Sequence, residues 1–260
     1  MTTQDPGRSN RLGPEAPGGG GRQGRQSVNS ELFDHNRLKD MARKWYGYGR
    51  WGAPYWFIGP EPGMDKGEHG LEPRCEAWLK LDGGELVDCR EHHQEFNCRD
   101  YHREFPPAAV NPTWKQLIRL FLAYSTRKAP QFEDIRSYQR TSWGAKDGDT
   151  CVIELCPLAA HKLGDKKAID FDAEALLRDR IKTIRERILE NEPAFVVMYR
   201  MKHKSYWEEI AGTSFSSIPD ICTVGNSRTL AVFANHPVDK FGVNPAYWLE
   251  LAEKLRSAAR

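Results

Sequence analysis

No run of about 18 apolar residues occurs in the 260-residue sequence, so no helix expected from it spans a membrane. Its N-terminal residues include no apolar signal region, and a cytosolic protein is expected. The six cysteines (Cys75, Cys89, Cys98, Cys151, Cys156, Cys222) contain no C-x2-C pair. In a cytosolic chain they are expected as thiols or metal ligands rather than disulfides. An excess of one charge is also missing, because 38 Lys and Arg stand against 36 Asp and Glu. That near-balance excludes a polycation coating nucleic acid by bulk charge, but leaves a local basic face open. No internal repeat is present.

Residues 1–28 are rich in Gly, Arg and Pro and almost without large apolar groups. They are read as a disordered tail, a solvated leader more than a polyanion contact. From about 29 to 258 one domain is expected. Ser30 is a plausible N-cap for a helix carrying Leu32, Phe33, Leu38, Met41 and Ala42. "PYWFIG", "DTCVIELCPL", "PAFVVMY" and "TLAVFANHP" read as four buried strands. Between and after them come amphipathic helices at "TWKQLIRLFLAYST", "DAEALLRDRIKTIRERILEN" and "NPAYWLELAEKLRS", the last two capped by Asp172 and Asn244. Short continuous apolar strands alternating with helices predict an α/β fold, three-layer α/β/α with a central four-stranded parallel sheet. Residues 64–111 read as an irregular insertion or lid.

In an open parallel sheet, ligands bind outside the carboxyl ends of the strands. The first strand runs into Gly59-Pro60-Glu61-Pro62-Gly63 and the second into Glu154-Leu155-Cys156-Pro157. The third ends in Tyr199-Arg200-Met201-Lys202-His203 and the fourth in Asn235-His236-Pro237. Carboxylates, histidines, cations and an amide thus converge on one edge. Proline on both sides of Glu61 fixes the turn, and the flanking glycines let backbone approach a ligand.

These segments resemble the uracil-DNA glycosylase superfamily. Gly59 to Gly63 is similar to its first motif, a Gly-x-acid-or-amide-Pro turn, followed here by Met64 and a His-Gly-Leu. "ELCPL" at 154–158 resembles the N-x-C-P-L segment of the single-strand-selective branch, and "NHPV" at 235–238 the His-Pro-Ser motif. The resemblance covers roughly residues 55–256, leaves 74–111 unmatched, and implies a DNA glycosylase. Glu61 would stabilise the sugar cation and orient or deprotonate water, and His236 would donate to the departing base. Gly59, Pro60, Pro62, Gly63, Met64, Glu154, Cys156, Pro157 and Asn235 would line the base pocket. The family has Asp or Asn where Glu61 stands, so this turn must sit further back.

The base reader departs most, because the resemblance aligns Glu154 with an Asn that reads uracil. An ionised carboxylate cannot donate to O4 but accepts from an exocyclic amine. A modified cytosine is therefore the expected base, as in some bacteriophage genomes, and the 64–111 segment would give it room. Phage defence is the matching biological context. Uracil excision in repair, a non-catalytic nucleic-acid-binding module and a nucleoside hydrolase are the alternatives. DNA grip is assigned to Arg200, Lys202, His203, Pro237 and Lys240, with Phe241 as a wedge at the vacated position. "RKWYGYGRWGAPYWF" suits base stacking, although packing is the commoner use of such a run. A monofunctional, monomeric enzyme is expected, with Lys162 and Lys166 leaving lyase chemistry open. No cofactor is expected. A structural zinc among Cys75, Cys89, His92, His93, Cys98 and His102 is the weaker alternative, given their irregular spacing.

Overall fold

The computed structural model describes residues 35–63, 70–158 and 172–259. The tail 1–28, the Ser30 cap with Leu32 and Phe33, and Met64, Lys162 and Lys166 lie outside the described residues. In chain order the elements are α1 (His35–Lys44), β1 (Gly47–Tyr48), β2 (Tyr55–Gly59), α2 (Leu71–Lys80), β3 (Leu86–Val87) and α3 (Cys89–Glu95). They continue with α4 (Pro112–Thr126), α5 (Phe132–Thr141), β4 (Thr150–Glu154), α6 (Ala173–Asn191) and β5 (Phe195–Tyr199). The chain closes with α7 (Lys204–Ala211), β6 (Asp220–Thr223), β7 (Leu230–Ala234) and α8 (Pro245–Ala258).

The four expected strands lie side by side and parallel as β4-β2-β5-β7. They do not make the whole sheet, which has seven strands in the order β3-β1-β4-β2-β5-β7-β6 and is mixed. β1 pairs antiparallel with β4 and parallel with β3, and β6 pairs antiparallel with β7. Two-residue strands and the half-exposed β6 are too short or too polar to carry a period-2 signal. Gly47 permits β1 to lie against β4, because a Cβ there would collide with the Val152 carbonyl oxygen. Within the "WYGYG" run Trp45, Tyr46 and Tyr48 are buried.

Every residue of β4, β5 and β7 is buried. Successive strand residues face opposite ways, so both faces of the sheet are covered. α4 packs with α5 and α8, and α6 packs with α1 and α7, while α2 packs on α1 and α3. β4 and β5 flank β2 on opposite sides, so right-handed crossovers require their connecting helices on opposite faces. α6 starts where Asp172 accepts hydrogen bonds from the Glu174 and Ala175 amides. Its stripe of Leu176, Leu177, Ile181, Ile184 and Ile188 is buried, each contributing about 1.5–3 kcal/mol of apolar transfer. α8 begins with Pro245 after an Asn244 cap.

The segment 64–111 is not irregular throughout. Its described part folds into α2, β3, α3 and a 3-10 turn, Arg99–Tyr101. α3 is a seven-residue helix of Cys, Arg, Glu, His and Gln capped by Asp88, with no apolar stripe to announce it. α5 also escaped the hydrophobic pattern, since only Ile135 and Gln139 are buried along it.

Candidate functional site

β2 pairs with β4 on one side and β5 on the other, so the chain reverses its winding there. The carboxyl ends of the strands part at such a switch point and leave a crevice. Hydrogen bonds hold the turn after β2 against the end of β4: Leu155 N–H donates to the Gly59 carbonyl (2.8 Å) and Cys156 N–H to that of Pro60 (2.9 Å). Only glycine fits at 59, because a Cβ would collide with the Tyr199 hydroxyl and lie 3.0 Å from Glu154 Oε2.

The crevice opens into a cavity of 380 Å³. Strand ends contribute Pro60, Glu61, Pro62, Gly63, Glu154, Tyr199, Arg200 and His236. The opposite wall comes from β1 and the segment running into α4: Tyr48, Arg74, His93, Cys98, Tyr101, Asn111, Thr113 and Trp114. Glu61 Oε1 lies 3.7 Å from an Arg200 guanidinium nitrogen, and the Glu61 side chain is only 12% exposed. Arg200 adopts φ 87°, a strained left-handed backbone at the end of β5. The His236 ring packs edge-on against Tyr199, with centroids 5.4 Å apart. Val238 N–H donates to His236 Nδ1 at 3.3 Å, so the imidazole proton belongs on Nε2. Burial lowers the His236 pKa, Asp239 opposes that and Arg200 adds to it, so the ring is neutral at pH 7.

Glu154 departs from the expected ionised carboxylate. Burial pushes its pKa up to about 8 against the pull of Arg74, with Glu61 adding to the rise and Arg180 opposing it. At pH 7 it is a neutral acid, both donor and acceptor. Its buried Oε2 has no hydrogen-bond partner among the described residues. The backbone beneath it is held by Arg180, whose buried guanidinium donates to the carbonyls of Glu154, Leu155, Ala42 and Trp45. The far wall is held similarly. The buried Gln139 amide accepts from Asn111 N–H and donates to the carbonyls of Tyr101 and Ala109. His92 Nε2 donates to the Arg74 carbonyl (2.9 Å), which leaves Nδ1 to face the Tyr48 hydroxyl (3.3 Å).

Of the residues singled out from sequence, Pro60, Glu61, Pro62, Gly63, Glu154, Arg200 and His236 meet in this cavity. Gly59, Cys156 and Pro157 are not among its lining: Gly59 ends β2 beneath the turn, and Cys156 is buried with its Sγ on the Leu158 carbonyl. Asn235 lines a neighbouring cavity with Met201, Phe241 and Tyr247. His203 is not placed to hold a phosphate. It is buried on Tyr206 and Trp207, where burial, with Arg200 and Lys202, lowers its pKa to about 4. It offers no charge to a phosphate. Lys202 and Lys240 are exposed and Pro237 is buried. Phe241 is 66% exposed with Lys240 5.7 Å from its ring centre, and Met201 beside the same neighbouring cavity is 65% exposed.

Tyr48 lay in the aromatic run expected to stack on bases, but sequence reasoning missed Arg74, Tyr101, Asn111, Thr113, Trp114 and the role of Tyr199. Asn111-Pro112 was legible as a helix start, and a helix start beside a lid is a reasonable place to look for a wall. Nothing local marked the others. Among the described residues, Cys89, His93 and His102 form a buried group whose donor atoms could hold a metal ion. No protein-family model and no curated protein matches the chain.

Proposed function

We propose that the chain is a monofunctional DNA glycosylase, hydrolysing the N-glycosidic bond of a base flipped into the cavity. The observation that carries this is that Glu61 and His236 line one crevice at the switch point of the sheet. Breaking the bond leaves positive charge on the sugar and negative charge on the base. The Glu61 carboxylate, oriented by Arg200, stabilises the cation and takes a proton from the attacking water. The neutral His236 donates Nε2–H to the base oxygen and stabilises the departing anion. Water is the second substrate and no cofactor takes part.

Glu154 reads the base edge. As a neutral acid it donates to a ring-nitrogen acceptor and accepts from an exocyclic amine, the pattern of a cytosine-type edge. A shift of its proton to the other oxygen would equally match uracil, so Glu154 alone does not set the base. Room favours the larger substrate. A cavity of 380 Å³ falls in the range of about 300–1,000 Å³ that buries drug-sized ligands. Its far wall offers Arg74, Asn111 and Thr113 to a substituent. A modified cytosine is the preferred base, with defence against phages carrying modified DNA as the context. Lys202, Lys240 and the exposed Phe241 supply the DNA contacts.

Duplexes containing uracil, cytosine or a modified cytosine, incubated with wild type and E61Q, test this. Wild type should release modified cytosine, and E61Q should be slower by about 10²–10⁴ while still binding DNA. Release of uracil alone would assign the enzyme to uracil repair. No release from any duplex, with binding intact, would make the chain a binding module.

A further inference from the structure

We propose that Cys89, His93 and His102 bind one zinc ion, which staples the far wall of the cavity. This goes beyond the glycosylase reading and does not depend on it. Cys89 and His93 stand one helical turn apart at the start and middle of α3, on one face. His102 returns to them after the 3-10 turn Arg99–Tyr101. All three are buried, and their donor atoms lie within 4.8 Å of one another.

The distances suit a tetrahedral ion. Zn–S of about 2.3 Å and Zn–N of about 2.05 Å put bound sulfur and nitrogen about 3.6 Å apart. Cys89 Sγ lies 3.6 Å from His93 Nδ1. Two zinc-bound nitrogens sit about 3.3 Å apart by the same arithmetic. His93 Nδ1 and His102 Nε2 are 2.8 Å apart, so a small spread admits the ion. His93 Nδ1 faces both the thiol and the second imidazole, and one ring nitrogen cannot complete hydrogen bonds with both. A cation accepting all three lone pairs removes that conflict. One thiolate with two imidazoles selects zinc over magnesium or calcium. The buried Cys98 lies outside that group of three, its N–H donating to the His93 carbonyl at 2.8 Å.

The staple would act on a wall that packs partly on itself. Its satellite core consists of Ala77, Phe96 and Cys98, with Tyr101 packed against them. Beside that satellite core, Cys75, Trp78, Val87 and Cys89 are buried as well, and a structural metal would add to this packing.

The full chain, purified without chelators, should contain about one zinc per molecule by elemental analysis, and C89S and H93Q less than about a tenth. Cobalt exchanged into the wild type should give thiolate charge-transfer absorption that C89S lacks. If both variants fail to fold, the wild type decides. Stripped by a chelator, it should regain thermal stability on adding Zn²⁺ and not Mg²⁺. Wild-type protein that holds iron or no metal, or gains no stability from Zn²⁺, overturns the proposal.

Discussion

Replacing Glu154 by glutamine should make the protein more stable, and increasingly so as pH rises. Its carboxyl is buried, and its pKa moves from the ordinary 4.5 to about 8. A raised pKa means that the folded state favours the neutral acid. The associated stability is fully present below pH 4.5 and is lost as pH climbs through 8, because the unfolded chain gains the ionised form first. With those two values the wild type should lose about 3 kcal/mol by pH 7 relative to acid. Between pH 5 and pH 9 the loss amounts to about 4 kcal/mol. Glutamine has nearly the same shape, keeps a donor and an acceptor, and does not titrate, so E154Q should keep that stability. Urea denaturation of both proteins from pH 5 to 9 reads the difference. Parallel stability curves would show that Glu154 is ionised in the fold, and would remove the neutral-acid description. Excision offers a second readout. Wild-type activity should fall above pH 8 as the donor is lost, and E154Q activity should not fall with it.

H236Q should lose about 10²–10³ in rate with DNA binding kept, the usual cost of deleting one donor to a developing anion. Single-turnover kinetics measure it, and a loss under tenfold would remove His236 from that role. G59A should be destabilised and inactive, since the added Cβ meets the Tyr199 hydroxyl and the Glu154 carboxyl. Thermal unfolding beside excision assays checks both parts. R180M strips donors from four buried carbonyls, and should cost about 2–4 kcal/mol in urea denaturation even after relief of the buried charge. A variant within about 0.5 kcal/mol of wild type would show that the guanidinium is not what holds the end of β4.

The strands and helices with strong apolar patterns were legible from the chain alone. Five-residue runs such as "FVVMY" are buried on both faces, and the stripe from Leu176 to Ile188 admits one face inward. Caps at Asp172 and Asn244 were legible because a side-chain oxygen beside the first free amides has one purpose. Glu61 and His236 were legible too, since the residues just past the carboxyl end of each parallel strand form the mouth of the crevice.

What the chain could not disclose depends on partners distant in sequence. The state of Glu154 arises from burial beside Glu61, Arg74 and Arg180, none of which a local window contains. Arg74 and Trp114 become wall residues only because the segment between the first two central strands folds back over the crevice. His203 reads as a phosphate ligand until α7 covers it. Local pattern determined the central strands and which residues stand at their ends. Tertiary packing alone decided which of those residues share a cavity and which carry a proton there, because desolvation and charge act through space and not along the chain.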